Sequence, residues 1–260
     1  SGNACHKKYE RVTHLYVHAD RKLQRKNYPD VVTPTKVAAP WFPSVTSIFF
    51  EDDCVAQDTP FAFVPQHFPK LSHIEIHPYF TNLNFFERLG KVKTLTSVTL
   101  ISGVDDDMIE HWVEHSQPNT LKRIVFAKAS DFYFDDVFTL IKHHAESLEY
   151  VDISNTTLLL CLDAILREFP KVEFPAVKYL GMRGLITCHE DFHLPEDILF
   201  ERQDPMDDPE MEKRCGRALR VMLKAFPSLE ELDFSHNYRA GKECFKTLCG
   251  FPIKTLNLSN

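Results

Sequence analysis

A small apolar signature recurs along this chain on a nearly constant period. Residues at positions 1, 4 and 6 of a nine-residue window are apolar. The clearest copy is Leu229-Glu-Glu-Leu-Asp-Phe-Ser-His-Asn237, with Ser235 at position 7 and Asn237 at position 9. Leu148-Glu-Tyr-Val-Asp-Ile-Ser-Asn155, followed by Thr156, restates it, as do Ile253, Leu256 and Leu258. Nine windows open at Val12, Val45, Leu71, Leu95, Leu121, Leu148, Val177, Leu229 and Ile253, at spacings of 33, 26, 24, 26, 27, 29, 52 and 24 residues. One triplet arises easily by chance, but nine in phase do not. A period in this range marks stacked units that bury their apolar faces against one another.

A second signal runs in the same phase. Phe42-Pro43, Phe68-Pro69, Phe174-Pro175, Phe226-Pro227 and Phe251-Pro252 each precede a window. Proline lacks an N–H and disfavours helix at the residue before it, so it ends the preceding helix. The phenylalanine is then placed to bury against the layer beneath. Between windows the apolar spacing becomes helical. Residues 105–115 open with three carboxylates, which favour a helix N-terminus, and carry Met108, Ile109 and Trp112 on one face. Residues 135–144, 160–169, 215–226 and 240–249 continue the series. A strand and a helix in each period predict an α/β solenoid of about nine irregular units over residues 12–260. Its parallel sheet would line a concave side and its helices a convex side. Residues 1–11 lie outside it, and the polar opening Ser-Gly-Asn-Ala reads as a tag remnant.

Two stretches depart from the period. Residues 19–42 stretch the first interval and hold Arg21, Lys22, Arg25 and Lys26, a local basic patch or a solvated loop. Residues 186–212 hold ten acids against the single base Arg202, and read as an acidic insertion or a degenerate repeat within one domain. The net charge of −7 gives no general attraction to nucleic acid or anionic membrane. The longest apolar run, residues 158–162, is too short to span a bilayer. Seven cysteines without a C-x-x-C pair read as reduced thiols of a cytosolic or nuclear protein.

The pattern L-x-x-L-x-L-x-x-N carried by these windows resembles the leucine-rich repeat superfamily, in its long, ribonuclease-inhibitor-like form, over residues 12–260. The phased Phe-Pro entry is similar to the repeat domains of F-box and other cullin-ligase substrate receptors. The resemblance implies a non-catalytic scaffold or adaptor that binds a protein or peptide on its concave face. The alternative it implies is the substrate-recognition module of a cullin-type ubiquitin ligase. This chain departs from the superfamily in having few position-9 asparagines. Asn237 is one, while Gly103 and Ala129 offer no side-chain hydrogen bond there, which predicts an irregular curve.

Alternation along a strand sends positions 4 and 6 into the core and positions 3, 5 and 7 outward. The outward set begins with His14, Tyr16, His18, Phe49, Glu51, His73, Glu75 and His77, passes through small and apolar residues, and ends with Tyr150, Asp152, Tyr179, Arg183, Glu231 and Asp233. Aromatic and arginine side chains dominate binding hot spots. The partner-binding residues read from the sequence are therefore Tyr16, His18, Phe49, Glu51, His73, Glu75, Tyr150, Asp152, Tyr179 and Arg183. His73-x-Glu75-x-His77 offers three metal-ligating side chains, but strand neighbours two apart are about 6.6 Å distant, so the outer two do not converge on one ion. No G-x-S-x-G, Walker A or G-x-G-x-x-G sequence is present, and eight glycines supply few phosphate-cradling loops. No catalytic residue, cofactor or metal is assigned. Cys161, Cys244 and Cys249 fall at apolar helical phase and are expected in the core. The last window stops at its strand, which predicts that the chain is a piece of a longer protein or that its edge is covered by a partner or a second copy.

Overall fold

The computed structural model describes residues 11–17, 42–50, 65–76, 83–101, 106–127, 134–155, 162–185, 209–237 and 240–259. Each of the nine windows holds a strand that begins at position 3. These are His14–Val17 (β1), Ser47–Phe50 (β2), His73–Ile76 (β3), Ser97–Ile101 (β4), Arg123–Ala127 (β5), Tyr150–Asp152 (β6), Tyr179–Gly181 (β7), Glu231–Asp233 (β8) and Thr255–Asn257 (β9). They form one all-parallel sheet in which spatial order equals chain order. The result is an α/β architecture compatible with a solenoid-like fold.

The register is set by the apolar row at position 4. Ile48 pairs with Ile74, Ile74 with Val98, Val98 with Ile124, Ile124 with Val151, Val151 with Leu180 and Leu180 with Leu232. All of these side chains are buried, as are Phe50, Ile76, Leu100, Phe126, Ile153, Met182 and Phe234 at position 6. A one-residue slip would turn both rows to solvent, so the pattern fixes the pairing. The equivalents Leu256 in β9 and Leu258 just after it are 39% and 44% exposed.

Among the described residues six α-helices link the strands. They are Leu83–Gly90 (α1), Asp106–His115 (α2), Phe134–His143 (α3), Leu162–Glu168 (α4), Pro209–Lys224 (α5) and Lys242–Leu248 (α6). Short 3-10 turns at Pro65–His67 and Phe169–Lys171 complete the set. The helix α1 was not anticipated, and α5 starts six residues before the expected Cys215. Residues 209–212, assigned to the acidic stretch, are the first turn of α5. Pro209 suits the first helical position, and Glu210 and Glu212 oppose the helix dipole there. The rest of the acidic stretch and the basic patch lie outside the described residues. β7 pairs directly with β8 across the 52-residue interval.

The entry phenylalanines stack on one another. Phe42 lies on Phe68 at 5.8 Å between ring centroids, and Phe174 on Phe226 at 4.8 Å. Phe86 and Trp112 join α1 to α2 at 6.1 Å, and Phe138 of α3 meets Phe169 at 5.1 Å. The N-cap of helix α6 is Gly241, which has no side chain to cap it. The Glu212 carboxylate of α5 accepts the Glu243 N–H instead, at 3.1 Å. Cys244 is buried, as its phase implies, but Cys249 is exposed. It sits at the helix C-cap, beyond the last turn whose inward face the phase describes.

The chain leaves the later strands by one conformation. Asn155, Gly184 and His236 all occupy position 8 and all have φ near +60°. Their N–H groups donate to the carbonyls of Arg183, Ser235 and Ser259 on the next strand's exit. Asn and Gly tolerate this left-handed region. Asn237, at position 9, donates its side-chain amide to the carbonyls of Met182 and Phe234, both at 2.9 Å. It therefore ties the exit of β8 to that of β7.

Candidate functional site

Pleating sends positions 3 and 5 to the face away from the helices, and parallel register aligns them into two rows across the sheet. The position-3 row runs His14, Ser47, His73, Ser97, Arg123, Tyr150, Tyr179, Glu231. The position-5 row runs Tyr16, Phe49, Glu75 at one end and Asp152, Gly181, Asp233 towards the other. Adjacent strands are about 4.8 Å apart, so aromatic side chains on neighbours meet.

Two clusters result. At the β1–β3 end, Tyr16 is 60% exposed and stacks on Phe49 at 4.7 Å and 13°. Phe49 also contacts His14 and His73. His73 Nδ1 and Ser97 Oγ share a 2.9 Å hydrogen bond. Burial pushes the His73 imidazole down from its ordinary value, against an opposing pull from Glu75, while Arg123 and His14 add to the lowering. His73 is thus favoured in its neutral form.

At the β5–β7 end, Tyr150 and Tyr179 stack at 4.1 Å and 6°. The Arg123 guanidinium lies 3.7 Å from the Tyr150 ring centroid, on β5. The planar cation gains from the ring's electron-rich face and stiffens the trio. Burial pushes the Tyr179 phenol up, and its hydrogen bond with Tyr150 and the nearby Asp152 and Asp233 add to this. Asp152 and Asp233 each accept the N–H two residues on, from Ser154 and Ser235 at 3.0 Å. The acids are thereby held in place on either side of Gly181, one row along from the tyrosine pair.

Of the residues singled out from sequence, Phe49, His73, Glu75, Tyr150, Asp152 and Tyr179 are half-buried on this face, and Tyr16 and Arg183 are exposed. His18, Glu51 and His77 lie outside the described residues. The structure brings Tyr16, Phe49 and His73 into one cluster and Tyr150, Asp152 and Tyr179 into the other, with Ser97 and Thr99 of β4 between them. In the sequence Arg123 carries no signal beyond its outward position 3. Its contact with Tyr150 follows from adjacency on parallel strands at position 3. Outward position does not guarantee exposure, since Ser47, Val125 and Ser235 are buried.

On the helical side, Glu87, His111 and His115 form a group whose ligand atoms all lie within 4.8 Å of one another. Among the described residues no helix is long and apolar enough to cross a membrane. No family model matches this chain, and no curated protein matches it.

Proposed function

We propose that this chain is a leucine-rich repeat solenoid that binds a protein or peptide partner along the open face of its sheet, without chemistry of its own. The observation that carries the reading is the Arg123–Tyr150–Tyr179 stack on β5, β6 and β7. It is a preorganised aromatic stack with a cation at its β5 end and the Asp152 and Asp233 carboxylates in the adjacent row, the composition of a binding hot spot. The Tyr16–Phe49 stack gives a second anchor on the same face. The eight strands from β1 to β8 span on the order of 30 Å, enough for an extended segment or a helix laid across the rows. Among the described residues of that face Glu75, Asp152, Glu231 and Asp233 outnumber Arg123 and Arg183, which favours a partner with basic residues. The sequential parallel order and the position-8 and position-9 hydrogen bonds support the repeat reading.

The test compares affinity purifications of the wild-type chain with those of a Tyr16→Ala, Phe49→Ala, Tyr150→Ala and Tyr179→Ala variant of unchanged circular dichroism. Proteins retained by the wild type should be lost, and a synthetic segment of the recovered protein should bind with an affinity that falls with salt. Retention of the same proteins by the folded variant would sink the reading.

A further inference from the structure

The geometry points to a transition-metal site, zinc in the first instance, formed by Glu87, His111 and His115 where α1 packs on α2. The site lies on the helical side and is independent of the open sheet face. His111 and His115 are four residues apart on α2, so both project to one side of the helix. Glu87 comes from α1, one period earlier in the chain. The sequence shows only an H-x-x-x-H spacing, and the packing supplies the carboxylate.

Four observations make this a built arrangement. The three ligand atoms lie within 4.8 Å of one another, and His111 Nε2 is 4.0 Å from a Glu87 oxygen. Two donors on one tetrahedral zinc are about 3.3 Å apart, so small side-chain rotations close the set. The His115 Nδ1–H donates to the His111 carbonyl at 2.8 Å, because a carbonyl only accepts. That fixes the tautomer and leaves the Nε2 lone pair for a metal. A Glu114 oxygen lies 3.9 Å from His111 Nδ1, on the far side of the ring from Glu87, where a supporting carboxylate orients a metal-bound imidazole. Finally, the helices that carry the donors cannot drift apart cheaply. Phe86 and Trp112 are buried between them, and a methyl at Gly90 would come within 2.8 Å of the His115 backbone.

Two imidazoles and one carboxylate suit zinc and its neighbours, and not magnesium or calcium, which take oxygen sets. Water completes the coordination. The competitor is Lys91, whose ammonium pairs with Glu87. Both side chains of that pair reach solvent, so a divalent ion can displace the ammonium.

The experiment is zinc titration of the whole chain by calorimetry, with cobalt as the spectroscopic probe. One zinc per chain should bind and raise the melting temperature. His111→Gln and His115→Gln should each weaken binding by roughly ten-fold or more and abolish the shift in melting temperature. Lys91→Ala should tighten binding by roughly two- to five-fold by removing the competing cation. Bound cobalt should show the visible bands of a four-coordinate nitrogen and oxygen site. Zinc affinity unchanged in the folded His111→Gln, His115→Gln double variant would overturn the assignment. So would an intense thiolate-to-cobalt band, which would place the metal on cysteine, or equal binding of magnesium.

Discussion

The Asp152 carboxylate lies against Gly181 on the neighbouring strand, filling the space a side chain there would need. A methyl on Gly181 would sit 2.5 Å from Asp152 Cγ. The same carboxylate accepts the Ser154 N–H at 3.0 Å, so it cannot move without losing a bond. Gly181→Ala should therefore destabilise the fold by about 1.5–3 kcal/mol, the scale of a lost charged hydrogen bond. In an Asp152→Ala background the same substitution should cost much less. A double-mutant cycle in urea measures the coupling, and additive effects would refute the contact.

Asn237→Ala removes the amide that serves the Met182 and Phe234 carbonyls in a buried place. The expected loss is about 1–3 kcal/mol by equilibrium unfolding. Asn237→Asp should be worse at neutral pH, because a carboxylate facing two carbonyls has no proton to give.

His144 predicts a pH dependence. Its ring is buried, its Nδ1 accepts the Thr120 N–H at 3.3 Å, and its Nε2 has no partner among the described residues. Burial pushes its pKa down to about 3, and His143 beside it adds to the lowering. In the unfolded chain the imidazole titrates near 6.5. Between those values the unfolded state binds a proton that the folded state refuses. Stability from this group is therefore complete above about pH 6.5 and falls as pH drops towards 3, by a total on the order of 5 kcal/mol. Urea midpoints at successive pH values check this. His144→Asn, which keeps an acceptor for Thr120, should flatten the slope.

The thiols should separate by reactivity. Burial raises the Cys244 pKa to about 12 and raises that of Cys215, whereas Cys249 is exposed. With a limiting alkylating reagent, peptide mapping should find Cys249 labelled in the native protein. Cys215 and Cys244 should be labelled only when urea is added. Native labelling of Cys244 would contradict its burial.

The strands were legible because their signal is redundant. An apolar triplet, a phased Phe-Pro and a fixed period point to the same residues, and each strand starts two residues after its window opens. The helix α1 was not read because Phe85 and Phe86, adjacent in sequence and both buried, fit a strand as well as a helix. The start of α5 was hidden because the acids that favour a helix N-terminus were counted as part of an acidic stretch. Glu212 in particular looked like surplus charge, yet it caps α6. The outward tyrosines followed from alternation alone. The Arg123 contact and the Glu87, His111 and His115 group did not, because both depend on which residues become neighbours one period apart. Alternation also gives direction without exposure. Ser47 points outward but is covered, between His14 and His73 on the flanking strands.

Because each strand bonds only to its neighbours in the chain, the sheet resembles a zip more than a net. Tension applied between β1 and β9 would load the hydrogen bonds one ladder at a time, in the peeling direction, and never all together in shear. Most periods hold 24–29 residues, so each yielding event should release roughly 80–100 Å of slack. The interval between β7 and β8 should give about twice that length in one step. An optical-trap record of such a staircase, with a single long tread near one end, would be the mechanical signature of this strand order.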